Sequence, residues 1–178
     1  MPSEGVMTTK LLMDVEEYLH ASFDGADCEY LDGEIVERNM GEMPHSTVQK
    51  ILMFFLTQME SRLGIQVLPE IRIQTEPRRY RVADIAVWRA GYIGERIPTV
   101  APFLIVEILS PEDRMVRMQP KVREYLSMGA EFVWLIDPLE RQALCFSQQN
   151  PAGSACDVLR TENPAIEISL EAALGGQG

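Results

Sequence analysis

The sequence predicts an α/β fold, a mixed β-sheet flanked by α-helices, and three observations carry that prediction. Val82–Trp88, Phe103–Leu109 and Phe132–Ile136 are short apolar runs rich in β-branched and aromatic residues, bounded by Gly, Pro or charge, as buried strands are. From His45 to Leu63 the apolar residues Val48, Ile51, Leu52, Phe55, Met59 and Leu63 recur at helical spacing. A further helical segment lies between Phe103–Leu109 and Phe132–Ile136, the crossover that a parallel strand pair requires.

Taken in order, Asp14-Val15-Glu16-Glu17 has capping-box spacing and opens a short helix whose Val15, Tyr18 and Leu19 share one stripe. Cys28–Leu31 and Glu34–Glu37 form a β-hairpin, because Asp32-Gly33 supplies the left-handed backbone of a tight turn. Gly41 to Pro44 is a loop, and Gly64 stops the long helix that follows. Ile65–Leu68 and Ile71–Gln74 are two short strands or one strand interrupted by Pro69. Pro77 to Tyr80 turns into the Val82–Trp88 strand, and Gly91 to Pro102 connects it to Phe103–Leu109.

Met115–Gln119 reads as an irregular approach to a helix that begins at Pro120, since proline suits the first helical position and not the interior. That helix runs through Val122, Tyr125 and Leu126 to Gly129. Asp137-Pro138 ends the next strand, and Gln142–Ser147 and Asp157–Leu159 read as outer strands around a Gly/Ser/Pro loop. With no repeat or linker, residues 1–178 read as one domain with frayed ends at 1–10 and 175–178.

Apolar residues make up 46% and charged residues 24%, ordinary values for a globular protein. The three cysteines, Cys28, Cys145 and Cys156, have no metal-ligand spacing and read as small core residues in a reducing compartment. No stretch has the length of a transmembrane helix and Met1–Lys10 lacks a signal-peptide core, so a cytoplasmic protein with no membrane partner is expected. The net charge of −11 argues against generic nucleic-acid binding. The charge is uneven, however: residues 71–124 hold ten basic and seven acidic groups, while residues 1–38 hold ten acidic and two basic. Arg72, Arg78, Arg79, Arg81, Arg89, Arg96, Arg114, Arg117 and Arg123 fall in this basic stretch, as scattered surface charges or as a phosphate-facing patch.

Two of the apolar strands each carry a carboxylate, Asp84 and Glu107. Burying an ionised carboxylate without a partner costs several kcal/mol, so the pair asks for a cation. By strand alternation Asp84 shares its face with Val82, Ala86 and Trp88, and Glu107 with Ile105 and Leu109; if the strands pair, both acids can enter one notch. Oxygen-only ligation suits Mg²⁺ or Mn²⁺, which can activate water and stabilise phosphoryl charge. The alternative is that one or both acids pair with nearby arginines.

Lys121, second in a helix begun at Pro120, could meet an anion at the free N–H groups of that helix start, or be a solvated lysine. His45, just after Pro44, could orient water, touch phosphate or simply sit near its helix N-terminus. Glu34 is a third acid of the site or a hairpin surface charge. There is no phosphate-binding Gly-rich loop, paired-Cys motif or Gly-x-Ser-x-Gly elbow, which weighs against P-loop and serine hydrolase chemistry.

The ordered series Tyr30–Val36, Pro44-His45, Val82–Val87, Leu104–Pro111, Lys121–Leu126, Gly129 and Val133–Pro138 resembles the Uma-two family of endonucleases, within the PD-(D/E)XK restriction-endonuclease-like superfamily. The resemblance implies a restriction-endonuclease-like mixed sheet and a Mg²⁺-dependent phosphodiester hydrolase site. Carried over by position, Asp84 is the superfamily's aspartate, Glu107 its second acid and Lys121 the helix lysine, with His45 and Glu34 at accessory positions. Ala83 replaces the motif's proline, Leu109 stands at the strand-lysine position, and Arg117 stands where many relatives carry an acid.

The expectation is therefore a metal-dependent nuclease acting on nucleic acid, DNA in the first instance. Asp84, Glu107 and the Ile108 carbonyl would hold Mg²⁺ or Mn²⁺, and Lys121 would position water. A homodimer would suit two strand cuts. The competing expectation is a catalytically inactive nucleic-acid- or protein-binding module on the same fold.

Overall fold

The computed structural model describes residues 12–23, 27–39, 41–92, 94–111 and 115–176, without the side chains of residues 115–117. The ends at 1–10 and 177–178, Arg114 and the Arg117 side chain therefore lie outside the described residues.

Helix α1 spans Val15–His20, with the Asp14 carboxylate accepting the Glu16 N–H at 2.9 Å as the capping pattern requires. Strands β1 (Cys28–Leu31) and β2 (Glu34–Glu37) form the expected antiparallel hairpin, with Asp32 (φ 53°) and Gly33 (φ 107°) both left-handed in the turn. Helix α2 (Met43–Leu63) ends on Gly64 at φ 61°. Strand β3 (Ile65–Glu76) is one continuous strand containing Pro69; among the described residues it pairs only with β4 (Arg79–Arg89), and an edge strand tolerates a residue without an N–H.

Strand β5 (Leu104–Ile108) pairs antiparallel with β4. Helix α3 (Met115–Met128) then crosses over to β6 (Phe132–Asp137), parallel to β5, and β7 (Gln142–Ser147) and β8 (Ser154–Ala155) complete the sheet. Its path is β2-β1-β4-β5-β6-β7-β8, with β3 on the other side of β4. Strands β9 (Val158–Thr161) and β10 (Ile166–Ser169) form a separate two-stranded sheet followed by α4 (Leu170–Ala173), so the segment read as an outer strand at Asp157–Leu159 does not join the main sheet.

Helices cover both faces, as expected. Leu52 and Leu56 of α2 pack with Ile85, Val87, Leu104, Val106 and Ile136 on one face. Val122, Tyr125 and Leu126 of α3 pack with Ala86, Trp88, Ile105 and Leu109 on the other. Among the described residues no helix is long and apolar enough to cross a membrane.

Helix α3 begins at Met115, with Pro120 inside it and not at its start. The missing N–H and ring clash cost about 3 kcal/mol, whereas fully burying Val122, Tyr125 and Leu126 contributes roughly 1.5–3 kcal/mol each. Packing overrides the local preference, and Lys121 sits in the helix body with no free helix-start N–H groups beside it. The cysteines are not all isolated thiols either: Cys145 and Cys156 form a disulfide, because β7 and β8 pair with Cys145 opposite Ser154, and Cys28 is buried in β1.

The sheet forks where the site lies. Along one side β4 pairs with β3 over most of its length; along the other, β1 meets it at Arg79 and Tyr80 and β5 at Ile85 to Val87. Residues 81–84 thus face a gap between β1 and β5. The β3–β4 ladder also skips the rung between Glu70 and Asp84, where Glu70 adopts φ 47°. The face alternation slips there: Ala83, Ala86 and Trp88 pack in one cluster while Ile85 and Val87 pack in the other. Strict alternation, which placed Asp84 with Ala86 and Trp88, is therefore corrected.

Candidate active site

The β4–β5 ladder ends at Ile85–Val106, and the next rung would set Asp84 opposite Glu107. The two carboxylates expected to share a notch do so: both line a cleft of about 190 Å³ together with Glu29, Arg38, His45 and Lys121. They are almost wholly buried, Asp84 and Glu107 at 2% exposure, Glu29 at 4% and Lys121 at 8%.

Asp84 is held from three directions. Arg38 Nη2 donates to Oδ1 at 2.6 Å, the Ile108 N–H donates to Oδ2 at 2.7 Å, and His45 Nε2 lies 3.3 Å from Oδ2. Arg38 also pairs with Glu70, whose other oxygen accepts from Gln49 at 2.7 Å; Gln49 in turn donates to the Asp84 carbonyl at 3.0 Å. Burial alone would raise the Asp84 carboxyl, but His45, Arg38 and Lys121 together hold it below the usual carboxylate range. Burial works against the charged form of His45, and the Asp84 hydrogen bond and charge outweigh it, raising the imidazole.

Glu107 follows the expected alternation and points to the α3 face. Lys121 Nζ donates to its Oε2 at 2.9 Å and the Tyr125 hydroxyl to its Oε1 at 2.7 Å. Lys121 reaches the strand from its helix and completes its three donors with Glu29 Oε1 at 2.8 Å and the Val82 carbonyl at 3.0 Å. Burial, with the nearby charges of Asp84 and Glu29, pushes the Glu107 carboxyl up to about 7 despite the Lys121 ammonium.

The gap between β1 and β5 explains why the charges gather here. Val82 has no strand partner on that side, and side chains replace it: Glu29 accepts the Val82 N–H at 3.1 Å while Lys121 takes its carbonyl. Glu29 is braced by Arg81 at 2.8 Å, and Arg81 forks onto Glu124 at 2.8 and 3.1 Å. Burial opposes ionisation of Glu29, but Lys121 and Arg81 win and hold it at about 2.

Of the sequence-derived candidates, Asp84, Glu107, Lys121, His45 and Ile108 come together and Glu34 does not. Glu34 pairs with Leu31 at the turn end of the hairpin, whereas the cleft is lined by its other end, Val36 to Asn39. The hairpin acid that enters is Glu29, which carries the same signal as Asp84 and Glu107: a carboxylate in an apolar strand, Cys28-Glu29-Tyr30-Leu31. Arg38 was also missed, and it realises for Asp84 the arginine pairing left open by the sequence. Nothing local marks it, because the contact spans 46 residues.

The profile of the Uma2 (Uma-two) family, described as "putative restriction endonuclease", matches residues 15–177. The crystal structure of a "putative nuclease belonging to DUF820" from Anabaena variabilis superposes with a TM-score of 0.80 at 22% identity, covering 90% of this chain and 96% of that one. No curated protein matches. The match along almost the whole chain, on a mixed sheet flanked by helices, places the protein in the Uma2 family, the family described as "putative restriction endonuclease".

Proposed function

We propose that this protein is a divalent-cation-dependent nuclease that hydrolyses phosphodiester bonds in nucleic acid, with DNA as its substrate. The observation that carries the reading is the opposition of Asp84 and Glu107 across the open end of a strand pair, in one cleft lined by Arg38 and Lys121.

Among the described residues no three His, Cys, Asp or Glu side chains form a ready cage for an ion. Two carboxylates nevertheless fit Mg²⁺ or Mn²⁺, since Mg²⁺ is commonly held by one or two carboxylates with water and substrate phosphate filling the rest. Asp84 and Glu107 would hold the ion, with the Ile108 carbonyl beside them. When bound, such an ion supplies a water of lowered pKa and offsets charge on the phosphoryl group.

The protein's own groups do the rest. The Ile108 N–H and His45 fix the Asp84 carboxylate in its ionised form. Arg38 Nη2, released from Asp84 Oδ1, becomes a charged donor for a phosphate oxygen while Nη1 stays on Glu70. Lys121 keeps a fixed positive charge beside Glu107 and stabilises charge developing on the phosphate; to orient the attacking water it must exchange one of its three contacts. Leu109, on the Glu107 face, leaves Lys121 to supply that charge.

Purified protein should cleave DNA with Mg²⁺ or Mn²⁺ and lose cleavage with chelator or on Asp84→Ala. Cleavage that survives Asp84→Ala would sink the site assignment. One observation favours a non-catalytic binding module: Arg38 and Lys121 already neutralise both acids without a metal. That reading predicts nucleic-acid or protein binding that ignores divalent ions and persists in Glu107→Gln.

A further inference from the structure

A second depression, about 420 Å³, adjoins the cleft and shares Arg38, Asn39 and His45 with it. His45 is its most informative residue. The ring is only 7% exposed, and Nε2 faces Asp84. Nδ1, on the opposite edge, has no hydrogen-bond partner among the described residues, an unusual state for a buried polar atom.

That edge looks into a space kept open by Gly41. A Cβ at Gly41 would lie 3.2 Å from His45 Nδ1 and 3.3 Å from Ser46 Oγ, tighter than ordinary van der Waals contact. Gly41 has no left-handed backbone, so its turn does not require glycine; the space does.

The same place is the start of α2. Glu42, its N-cap, makes no side-chain cap, and Pro44 contributes no N–H. The first-turn N–H groups of Met43 and His45 have no partner within the helix and carry the positive end of its dipole. The two acids lining the depression are already paired, Asp27 with Arg72 at 2.7 Å and Glu70 with Arg38 and Gln49. An anion entering here therefore meets donors.

We propose that this depression is a second phosphate subsite, receiving the phosphate next to the one cleaved, between Ser46 Oγ, the α2 N-terminus and the His45 Nδ1 edge. The imidazole meets the ligand through one bridging water, which donates one proton to Nδ1 and the other to a phosphate oxygen. His45 then spans the two sites, touching Asp84 with one nitrogen and reaching the flanking phosphate through that water with the other, which ties the register of the strand to the acid. The identity of the ligand as nucleic acid rests on the nuclease reading; the anion site does not.

The test uses the whole protein in chelator, titrated with inorganic phosphate and followed by ³¹P NMR, so that neither metal nor turnover enters. Saturable binding is expected, weakened at least tenfold by Gly41→Ala, whose methyl fills the space, and several-fold by Ser46→Ala. Both variants should keep the wild-type melting temperature, and Mn²⁺ binding followed by electron paramagnetic resonance should be unchanged in Gly41→Ala. No phosphate binding, or binding equal in Gly41→Ala and Ser46→Ala to wild type, overturns the subsite even if the protein cleaves DNA. Binding that Gly41→Ala abolishes, in a protein that cleaves no nucleic acid, upholds the anion site and removes the nuclease reading alone.

Discussion

Lys121→Met is the perturbation that most sharply separates a working charge network from a decorative one. Lys121 gives its three protons to Glu29, Glu107 and the Val82 carbonyl, at 2.8, 2.9 and 3.0 Å. Methionine has similar length and no donor. Removing one partner from a buried ion pair costs about 3–5 kcal/mol, and an orphaned buried carbonyl adds to it at roughly 1–3 kcal/mol. Part is recovered because Glu107, already pushed up to about 7, takes a proton, and because Glu29 keeps Arg81. A net loss of about 3–5 kcal/mol is expected at pH 8, smaller by roughly 1–2 kcal/mol at pH 5, where Glu107 is protonated. Urea unfolding at both values, read as midpoint shifts at constant slope, measures it. Adding Glu107→Gln should restore part of the loss at pH 8. A loss below about 1 kcal/mol that is equal at both pH values would refute the network as described.

Three further outcomes follow from the same contacts. Arg38→Ala removes the guanidinium from Asp84 Oδ1 and should tighten Mn²⁺ binding by about tenfold, on the order of 1.4 kcal/mol, while weakening DNA binding; calorimetry reads both, and looser Mn²⁺ binding would contradict the competition. Glu29, held at about 2 against an ordinary 4.5, contributes stability that is fully present above 4.5 and lost as pH falls through about 2, roughly 3 kcal/mol, and Glu29→Gln should flatten the acid limb of a stability-versus-pH curve. Glu107, raised to about 7, acts oppositely, its contribution falling as pH rises from 4.5 through 7, so Glu107→Gln should remove that decline. Alkylation and intact mass of unreduced, denatured protein should count one reactive thiol, Cys28; three would contradict the Cys145–Cys156 bond.

The strands, the long helix and the Asp-Gly hairpin were legible because each rests on a local pattern that burial does not overturn. The pairing of Asp84 with Glu107 was legible because both interrupt apolar runs where an acid has no local reason to be. Glu29 obeys the same rule and was passed over in a strand read only for its turn. Arg38, Glu70 and Gln49 had no comparable signal: their relation to Asp84 comes from the hairpin end and the skipped rung at Glu70, set by tertiary contacts. Pro120 misled because a local penalty of a few kcal/mol was weighed without the buried face of α3. The place of Lys121 near the acids owes nothing to a helix start and follows from the gap in the sheet at Val82.

The most direct test is an anomalous-scattering map from crystals soaked in Mn²⁺. The account predicts one strong peak between the Asp84 and Glu107 carboxylates, with Arg38 moved off Asp84 Oδ1 and Lys121 still on Glu107. No peak there, with Arg38 still bonded to Asp84 at millimolar Mn²⁺, would contradict it.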